Sequence, residues 1–338
     1  MSLAICRRGR VSFRLRPRLL LVSALVVSSL VSVTACGAVP VGSSPGASSS
    51  SVSATSYPLT ITDDTGRKVT IPHRPTRIVS LTLGTDEILL QMVNPQRVVG
   101  VTQYASQPAM SFVADKVGQA AQLASANAEQ VIALKPDLVF AADYTKPGVV
   151  QQLEQANIPV VEFTTFSSMS DVEKHVQVVA NLVGDPAKGQ QMVAAMRTEL
   201  ARVAKEVKGL SKPTVVYYSG YGYVAGQGTT VDALIADAGG INAAAGIQGW
   251  KQVGPEELVA LKPDIILTDT NGPKDIVQGA QAQKLLTLPA LAGVPAVEHR
   301  QVWGLSSRAI TDVSQYMAWD VQDVASLLHP HHVTAYQP

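Results

Sequence analysis

The sequence predicts an α/β fold of two similar lobes, each a mostly parallel central sheet flanked by helices, joined by one long interlobe helix. The stretch Glu129 to Val139, E-Q-V-I-A-L-K-P-D-L-V, returns 127 positions later from Glu256 to Ile266 as E-E-L-V-A-L-K-P-D-I-I. Around both copies, strand-length apolar runs alternate with helix-length amphipathic ones, the order of a parallel sheet with helical crossovers. Between the copies, Pro186 to Val207 carries Met192, Met196, Leu200, Val203 and Val207 on one stripe. Such a helix is about 33 Å long at 1.5 Å per residue, enough to cross between lobes. A chain of 338 residues has room for two cores of ordinary domain size.

Each copy of the repeat reads as a short helix, a turn at Lys-Pro-Asp and a buried strand, Leu138 to Ala141 and Ile265 to Thr268. Proline disfavours helical geometry at the lysine before it and fixes its own φ, so the helix stops and the strand starts in a set direction.

The first residues stand apart from this pattern. Six arginines, Arg7 to Arg18, precede an apolar run from Leu19 to Val33, the basic and apolar regions of an export signal, too short and Ser-rich for a membrane span. The run ends in Val33-Thr34-Ala35-Cys36, which resembles a bacterial lipobox, where the signal is cut before the cysteine and the thiol carries lipid. The other cysteine, Cys6, would leave with the signal, so the mature chain is expected to hold no disulfide. Loss of six arginines takes the net charge from +1 to −5, which argues against nucleic acid as partner. Gly37 to Ser56 is Gly, Ser, Ala, Pro and Val with almost nothing else and no charge, the composition of a flexible tether. The expected division is 1–35 signal peptide, 36–56 lipidated Cys36 and tether, 57–169 N-terminal lobe, 170–209 connecting helices, and 210–338 C-terminal lobe.

In chain order, Leu59 to Asp63 and Arg67 to Ile71 alternate around Asp64-Thr65-Gly66 as a β-hairpin. Arg77 to Leu81 is a strand leading to a helix with Thr85 as its predicted N-cap and Asp86 and Glu87 in its first turn. Strands follow at Val98 to Val101 and Pro159 to Phe163. Ser170 to Glu173 reads as a capping box, and Asp185-Pro186 opens the long helix. Thr214 to Tyr218 is a strand, Val231 to Ala238 a helix, Val302-Trp303 a short strand, and Asp312 to Leu328 the last helix.

The lipobox, the hairpin followed by R-I-V-S-L-x-L-G-x-x-E-I-L, the paired A-L-K-P-D elements and the long helix between them resemble the helical-backbone class of substrate-binding proteins of ABC importers. This group delivers ferric siderophores, haem and cobalamin. The resemblance covers nearly all of the chain from Tyr57 on. It implies a ligand held between the lobes, little hinge closure, a monomer, and a partner ABC permease with its ATPase. It also implies that Glu129 and Glu256, one per lobe, dock on basic residues of the permease. A single glutamate there would be explained by the helix dipole; two at matched positions make a two-point, charge-assisted dock.

Ligands of open α/β sheets bind beyond the carboxyl ends of the strands. Those ends carry Leu83 to Thr85, Tyr104, Tyr144 with Lys146, and Thr165-Phe166 in the first half, then Tyr218, Tyr221, Tyr223, Trp250, Asn271 and Arg308 in the second. Flat aromatic rings with polar tips suit a large conjugated ligand, and Arg308 could clamp an anionic oxygen. The expected ligand contacts are therefore Tyr104, Tyr144, Phe166, Tyr218, Tyr221, Tyr223, Trp250 and Arg308. Gly220 and Gly222 break the alternation of the tyrosine run, which favours a cleft loop over a core strand.

The sequence leaves little room for chemistry. No G-x-S-x-G, H-E-x-x-H, P-loop or C-x-x-C occurs, and Gly220-x-Gly222 with Gly226 misses the dinucleotide spacing. His73, His175 and His299 are scattered, and His329-Pro330-His331-His332 reads as a chain end rather than a metal site. Asp143 and Asp269 read as strand-end turn residues. The expected function is a lipid-anchored, non-enzymatic receptor on the outer face of the bacterial cytoplasmic membrane, without intrinsic cofactor. Its expected ligand is a ferric siderophore, with haem or cobalamin as alternatives. An exported enzyme or a cell-envelope interaction protein is the reading from another class.

Overall fold

A computed structural model describes residues 55–164, 166–270 and 276–336. The expected signal peptide, Cys36 and nearly all of the tether lie outside them, as do Thr165 and Asn271.

The hairpin forms as β1 (Leu59–Thr62) and β2 (Lys68–Ile71), antiparallel with Leu59 opposite Ile71. The first lobe follows as β3 (Ile78–Ser80), α1 (Leu83–Met92), β4 (Val98–Thr102), β5 (Ala121–Leu123), α2 (Ala128–Ala133), β6 (Leu138–Ala142), α3 (Pro147–Gln155) and β7 (Val160–Phe163). Its sheet runs in the order β5-β4-β3-β6-β7, all parallel. After α4 (Met169–Val183) and α5 (Pro186–Glu206) comes the second lobe. It comprises β8 (Thr214–Tyr217), β9 (Tyr223–Ala225), α6 (Thr230–Asp237), β10 (Ile241–Asn242), β11 (Trp250–Gln252), α7 (Pro255–Leu261), β12 (Ile265–Thr270), β13 (Ile276–Val277), α8 (Ala280–Leu286), α9 (Pro295–Glu298), β14 (Val302–Ser306), α10 (Ser307–Thr311) and α11 (Met317–Leu328). Its sheet runs β10-β8-β12-β14-β13, with only β13 antiparallel, and β9 with β11 forms a separate ribbon.

The long helix is present as α5, 21 residues, about 32 Å by its rise. It packs against α4 on the first-lobe side and α11 on the second-lobe side. Its stripe of Met192, Met196 and Val203 belongs to one continuous apolar cluster that holds Ile78 and Leu138 of the first sheet together with Val215 and Leu267 of the second. The lobes thus share a core behind the cleft.

The repeated Lys-Pro-Asp corners fold alike. Lys135 and Lys262 take left-handed φ of 51° and 45°, the proline having excluded the right-handed helical region for the residue before it. The Asp137 carboxylate accepts from Thr76 N (2.8 Å), Thr76 Oγ1 (2.9 Å) and Arg77 N (2.9 Å) at the start of β3. Asp264 repeats this on Thr214 N and Oγ1, both 2.8 Å, at the start of β8. Each corner clamps the neighbouring strand.

Three expectations are corrected. The N-cap of α1 is Thr82, whose Oγ1 accepts from Thr85 N at 3.2 Å, so Thr85 lies inside the first turn. The cap of α4 is Ser168, bonded to Asp171 N, which leaves Ser170 and Glu173 within the helix, where Glu173 pairs with Arg197 of α5 at 2.7 Å. The last helix is not continuous: the Asp312 carboxylate accepts from Ser314 N at 2.7 Å and folds 312–316 into a buried turn between α10 and α11.

Candidate ligand-binding cleft

The carboxyl ends of the strands in both lobes face one cleft. A cavity of about 510 Å³ there is lined from the first lobe by Tyr144, Thr164, Phe166 and Ser167, and from the second by Thr229, Trp250, Thr311 and Val313 among others. Tyr144 also borders an adjoining cavity of about 350 Å³ with Asn127 and Lys146. Among the described residues, the Tyr144 phenol is the one ionisable side chain lining the cavity of about 510 Å³.

The aromatic rings at this rim are exposed where a folded chain would ordinarily bury them. Tyr144 is 68% exposed, Tyr221 84% and Trp250 48%, and Tyr104 and Tyr223 are exposed as well. Two of these exposed rings, Tyr144 and Trp250, line the cavity from opposite lobes, and exposed aromatic faces at a cavity mark a binding surface.

Each ring is set by a local cause. Tyr144 follows the end of β6 in the turn Ala142 to Thr145, closed by Thr145 N to Ala142 O at 2.8 Å. Phe166 packs edge-on against the buried His175 ring at 4.9 Å. His175 in turn faces Asp64 at 3.1 Å through Nε2 and Phe163 at 4.4 Å. Burial lowers the His175 pKa, the Asp64 carboxylate opposing it, so the ring is neutral near pH 7. Trp250 stands on β11, opposite Ala225 of β9, with its ring 5.6 Å from that of Tyr217 at an interplanar angle of 89°.

Between the lobes the chains approach closely. A Cβ on Gly84 would lie 2.5 Å from Val313 Cγ2, so only glycine lets the start of α1 meet the loop after α10. Beside it Glu87 is buried, its Oε1 accepting from Phe112 N at 2.8 Å, and Gln315 Nε2 donates to Glu87 O at 3.2 Å.

Of the expected ligand contacts, the structure brings Tyr144, Phe166 and Trp250 to one cavity and leaves Tyr104, Tyr221 and Tyr223 exposed outside its lining. Tyr218 is corrected: it is only 9% exposed and, directly after β8, packs in the second-lobe core with its hydroxyl 3.4 Å from Val253 O. Arg308 is not among the lining residues; its guanidinium lies 4.0 Å over the Phe112 ring, which stacks on Tyr316 at 4.6 Å. Gly84 is covered by the second lobe rather than offered to ligand. The sequence reading missed Thr229 and Val313, and it gave Asp269 no role beyond a turn. Thr229 had a legible signal as the N-cap of α6.

Glu129 and Glu256 lie in the first turns of α2 and α7, exposed, with no ion pair among the described residues. Glu257 is the one used locally, accepting from Gly254 N at 3.2 Å and Lys251 Nζ at 3.1 Å. Both helices run against the strands that follow them, so the two glutamates share the rim of the cleft. No group of three or more His, Cys, Asp or Glu placed to hold a metal occurs among the described residues, and no helix among them is long and apolar enough to cross a membrane.

The two lobes, the shared core and the aromatic cleft between them define a binding protein rather than an enzyme, and the chain belongs to the periplasmic binding protein family, whose model matches residues 78–309. It is an exported substrate-binding protein of an ABC importer, working with a permease and an ATPase. Among its relatives is the uncharacterized ABC transporter substrate-binding lipoprotein YvrC of Bacillus subtilis, 28% identical over 290 residues, covering 81% of this chain and 86% of that one. A cobalamin-binding protein of Halobacterium salinarum is 31% identical over 219 residues, 63% of this chain and 59% of that protein. The solved periplasmic heme-binding protein RhuT of Roseiflexus sp. RS-1 in apo form superposes with a TM-score of 0.66 at 27% identity, covering 75% of this chain and 98% of that one.

Proposed function

We propose that the cleft captures a corrinoid of the cobalamin type and delivers it to the permease. The observation that carries this is the lining of that cavity, which among the described residues offers aromatic faces, hydroxyls and backbone and no fixed charge, with Lys146 in the adjoining cavity. Such a surface suits a large conjugated ring system whose side groups are neutral amides, which need hydrogen bonds and no counter-ion. The relative named as a cobalamin-binding protein supports the same reading. The siderophore expectation drew on Arg308 as an anion clamp, and with that guanidinium over Phe112 it has less support. Haem is the second reading, favoured by the Tyr144 phenol in the cleft and by the likeness to RhuT. The test is intrinsic fluorescence quenching against cyanocobalamin, haemin and a panel of ferric siderophores. Cyanocobalamin is expected to bind tightly, and Trp250→Ala to weaken it about tenfold or more. A shifted Soret band with haemin at micromolar protein and no effect of cyanocobalamin would overturn the corrinoid in favour of haem.

Docking is proposed through Glu129 and Glu256, supported by their lack of ion-pair partners among the described residues and by their common rim. The double variant Glu129→Ala/Glu256→Ala is expected to abolish uptake and leave ligand affinity unchanged; normal uptake would remove the docking role. Residues 1–35 are proposed as the signal peptide and Cys36 as the lipidated anchor, with the lobes divided at 170–209.

A further inference from the structure

We propose that Asp269 is the positioning residue of the second-lobe half of the cleft, one carboxylate from which both Trp250 and the tyrosine loop are hung. This rests on the reading of the cleft as the ligand site.

Asp269 sits near the end of β12, opposite Leu305 of β14. Each of its oxygens has a separate task. Oδ1 accepts the hydroxyl of Tyr217, the last residue of β8, and Oδ2 accepts Gly220 N at 2.6 Å. The buried Tyr217 ring then offers the surface against which Trp250 stands edge to face. Fixing the Tyr217 hydroxyl fixes the ring, and the ring limits how far the Trp250 indole can swing.

The second bond holds the loop. Gly220 lies in the turn Ser219 to Tyr223. Within the turn Ser219 Oγ accepts from Tyr221 N at 3.3 Å and Tyr223 N at 2.9 Å, and Gly222 N donates to Ser219 O at 2.9 Å; Val253 N to Gly222 O at 2.8 Å and Gln252 Nε2 to Tyr221 O at 3.1 Å tie it to the end of β11. Those bonds shape the turn and join it to the β9–β11 ribbon; the bond to Asp269 fastens it to β12 of the central sheet. A Cβ on Gly220 would come within 3.4 Å of Asp269 Oδ2, so the backbone lies directly on the carboxylate. The Tyr217 phenol is raised by burial first and then by the carboxylate it faces, which keeps it a donor. A bond to an ionised acceptor is among the stronger ones available for holding a ring in place, and a cleft whose rings are already set loses less freedom on binding.

The test uses a chain in which Trp303 and Trp319 are replaced by Phe, leaving Trp250 as the sole tryptophan of three. In the ligand-free protein, Asp269→Ala and the milder Tyr217→Phe are expected to increase acrylamide quenching of Trp250 with far-ultraviolet circular dichroism unchanged. In the otherwise unaltered protein both variants should weaken cyanocobalamin about tenfold, and the double variant should be no worse than Asp269→Ala alone, since both act through one linkage. Unchanged quenching in folded Tyr217→Phe and Asp269→Ala overturns the proposal, as does normal cyanocobalamin affinity in both while Trp250→Ala binds weakly. Should the parent protein bind no cyanocobalamin, the corrinoid reading fails, and the ligand-free quenching still decides the role of Asp269.

Discussion

Behind Phe166 the His175 ring is sealed from solvent and tied to Asp64, which also bonds Lys174 and the Thr164 amide. Burial alone would raise the Asp64 carboxyl, but the bonds from Lys174, Thr164 and His175 hold it below its ordinary 3.8. His175 is lowered from 6.5 by burial, so the unfolded chain takes up a proton there before the folded one does. Stability from this residue is therefore present above 6.5 and declines as pH falls below that value, ahead of any loss from Asp64, which begins below 3.8. His175→Gln, which does not titrate and keeps a donor for Asp64, should flatten the decline. Thermal melts at about pH 7 and about pH 5 check this, and equal slopes in both proteins would refute it. At this scale the sequence revealed the kinds of residue at the rim but not which way each faced. Tyr217 and Tyr218 are neighbours of the same type and both are buried, and only the alternation of side chains there decides that Tyr217 braces Trp250 from one core while Tyr218 packs in the other. Arg308 was legible as a rim cation; Phe112, which holds it, lies in an aperiodic stretch with no pattern to read.

Elements were more legible where their signal is periodic. The hairpin, α5, both Lys-Pro-Asp corners and the main strands fall where the pattern put them, because spacing of buried side chains determines them. The caps moved by two or three residues because several Ser, Thr and Asp stand in line before α1 and α4, and tertiary packing chooses among them. The break between α10 and α11 was hidden because Val313 and Met317 keep helical spacing across it, although Val313 lines the cleft and Met317 the core. The corners carry a prediction. Asp137→Ala removes three bonds to Thr76 and Arg77 and leaves backbone donors at a strand start without an acceptor, at a cost of about 1–3 kcal/mol. Asp264→Ala should cost a similar amount in the second lobe. Urea unfolding of each variant measures both, and a loss well under 1 kcal/mol would show that water replaces the clamp.

For the whole molecule, the two-lobed plan was legible from the repeat, and the depth of the seam between the lobes was not. Glu87, Asp312 and Asp320 are buried together beside it, and a sequence offers no sign that acids on α1 and around α10 will meet. Burial, then the Asp312 carboxyl, hold Glu87 well above its ordinary 4.5; burial and then Asp320 do the same to Asp312, well above 3.8. A raised carboxyl binds its proton more tightly folded than unfolded, so its stabilising effect is full below those ordinary values and is lost as pH rises towards the folded ones. Glu87→Gln keeps the acceptor for Phe112 N and should be more stable than the parent at about pH 8, the gap narrowing towards about pH 5, read from urea midpoints. A gap that widens on acidification would contradict this.

The aspartate clamps also act as a gauge. They fix the zero point of each parallel sheet at the edge remote from the cleft, and β6 and β12 then run five and six residues to the opposite edge, roughly 16 to 20 Å at about 3.3 Å per residue. Because the same short helix returns over each strand, the heights of Glu129 and Glu256 are measured from the same origin as Tyr144 and Asp269. Loops at the rim can then be exchanged to suit a different cargo while the two carboxylates keep their level, so the delivery fitting and the cargo fitting can change independently.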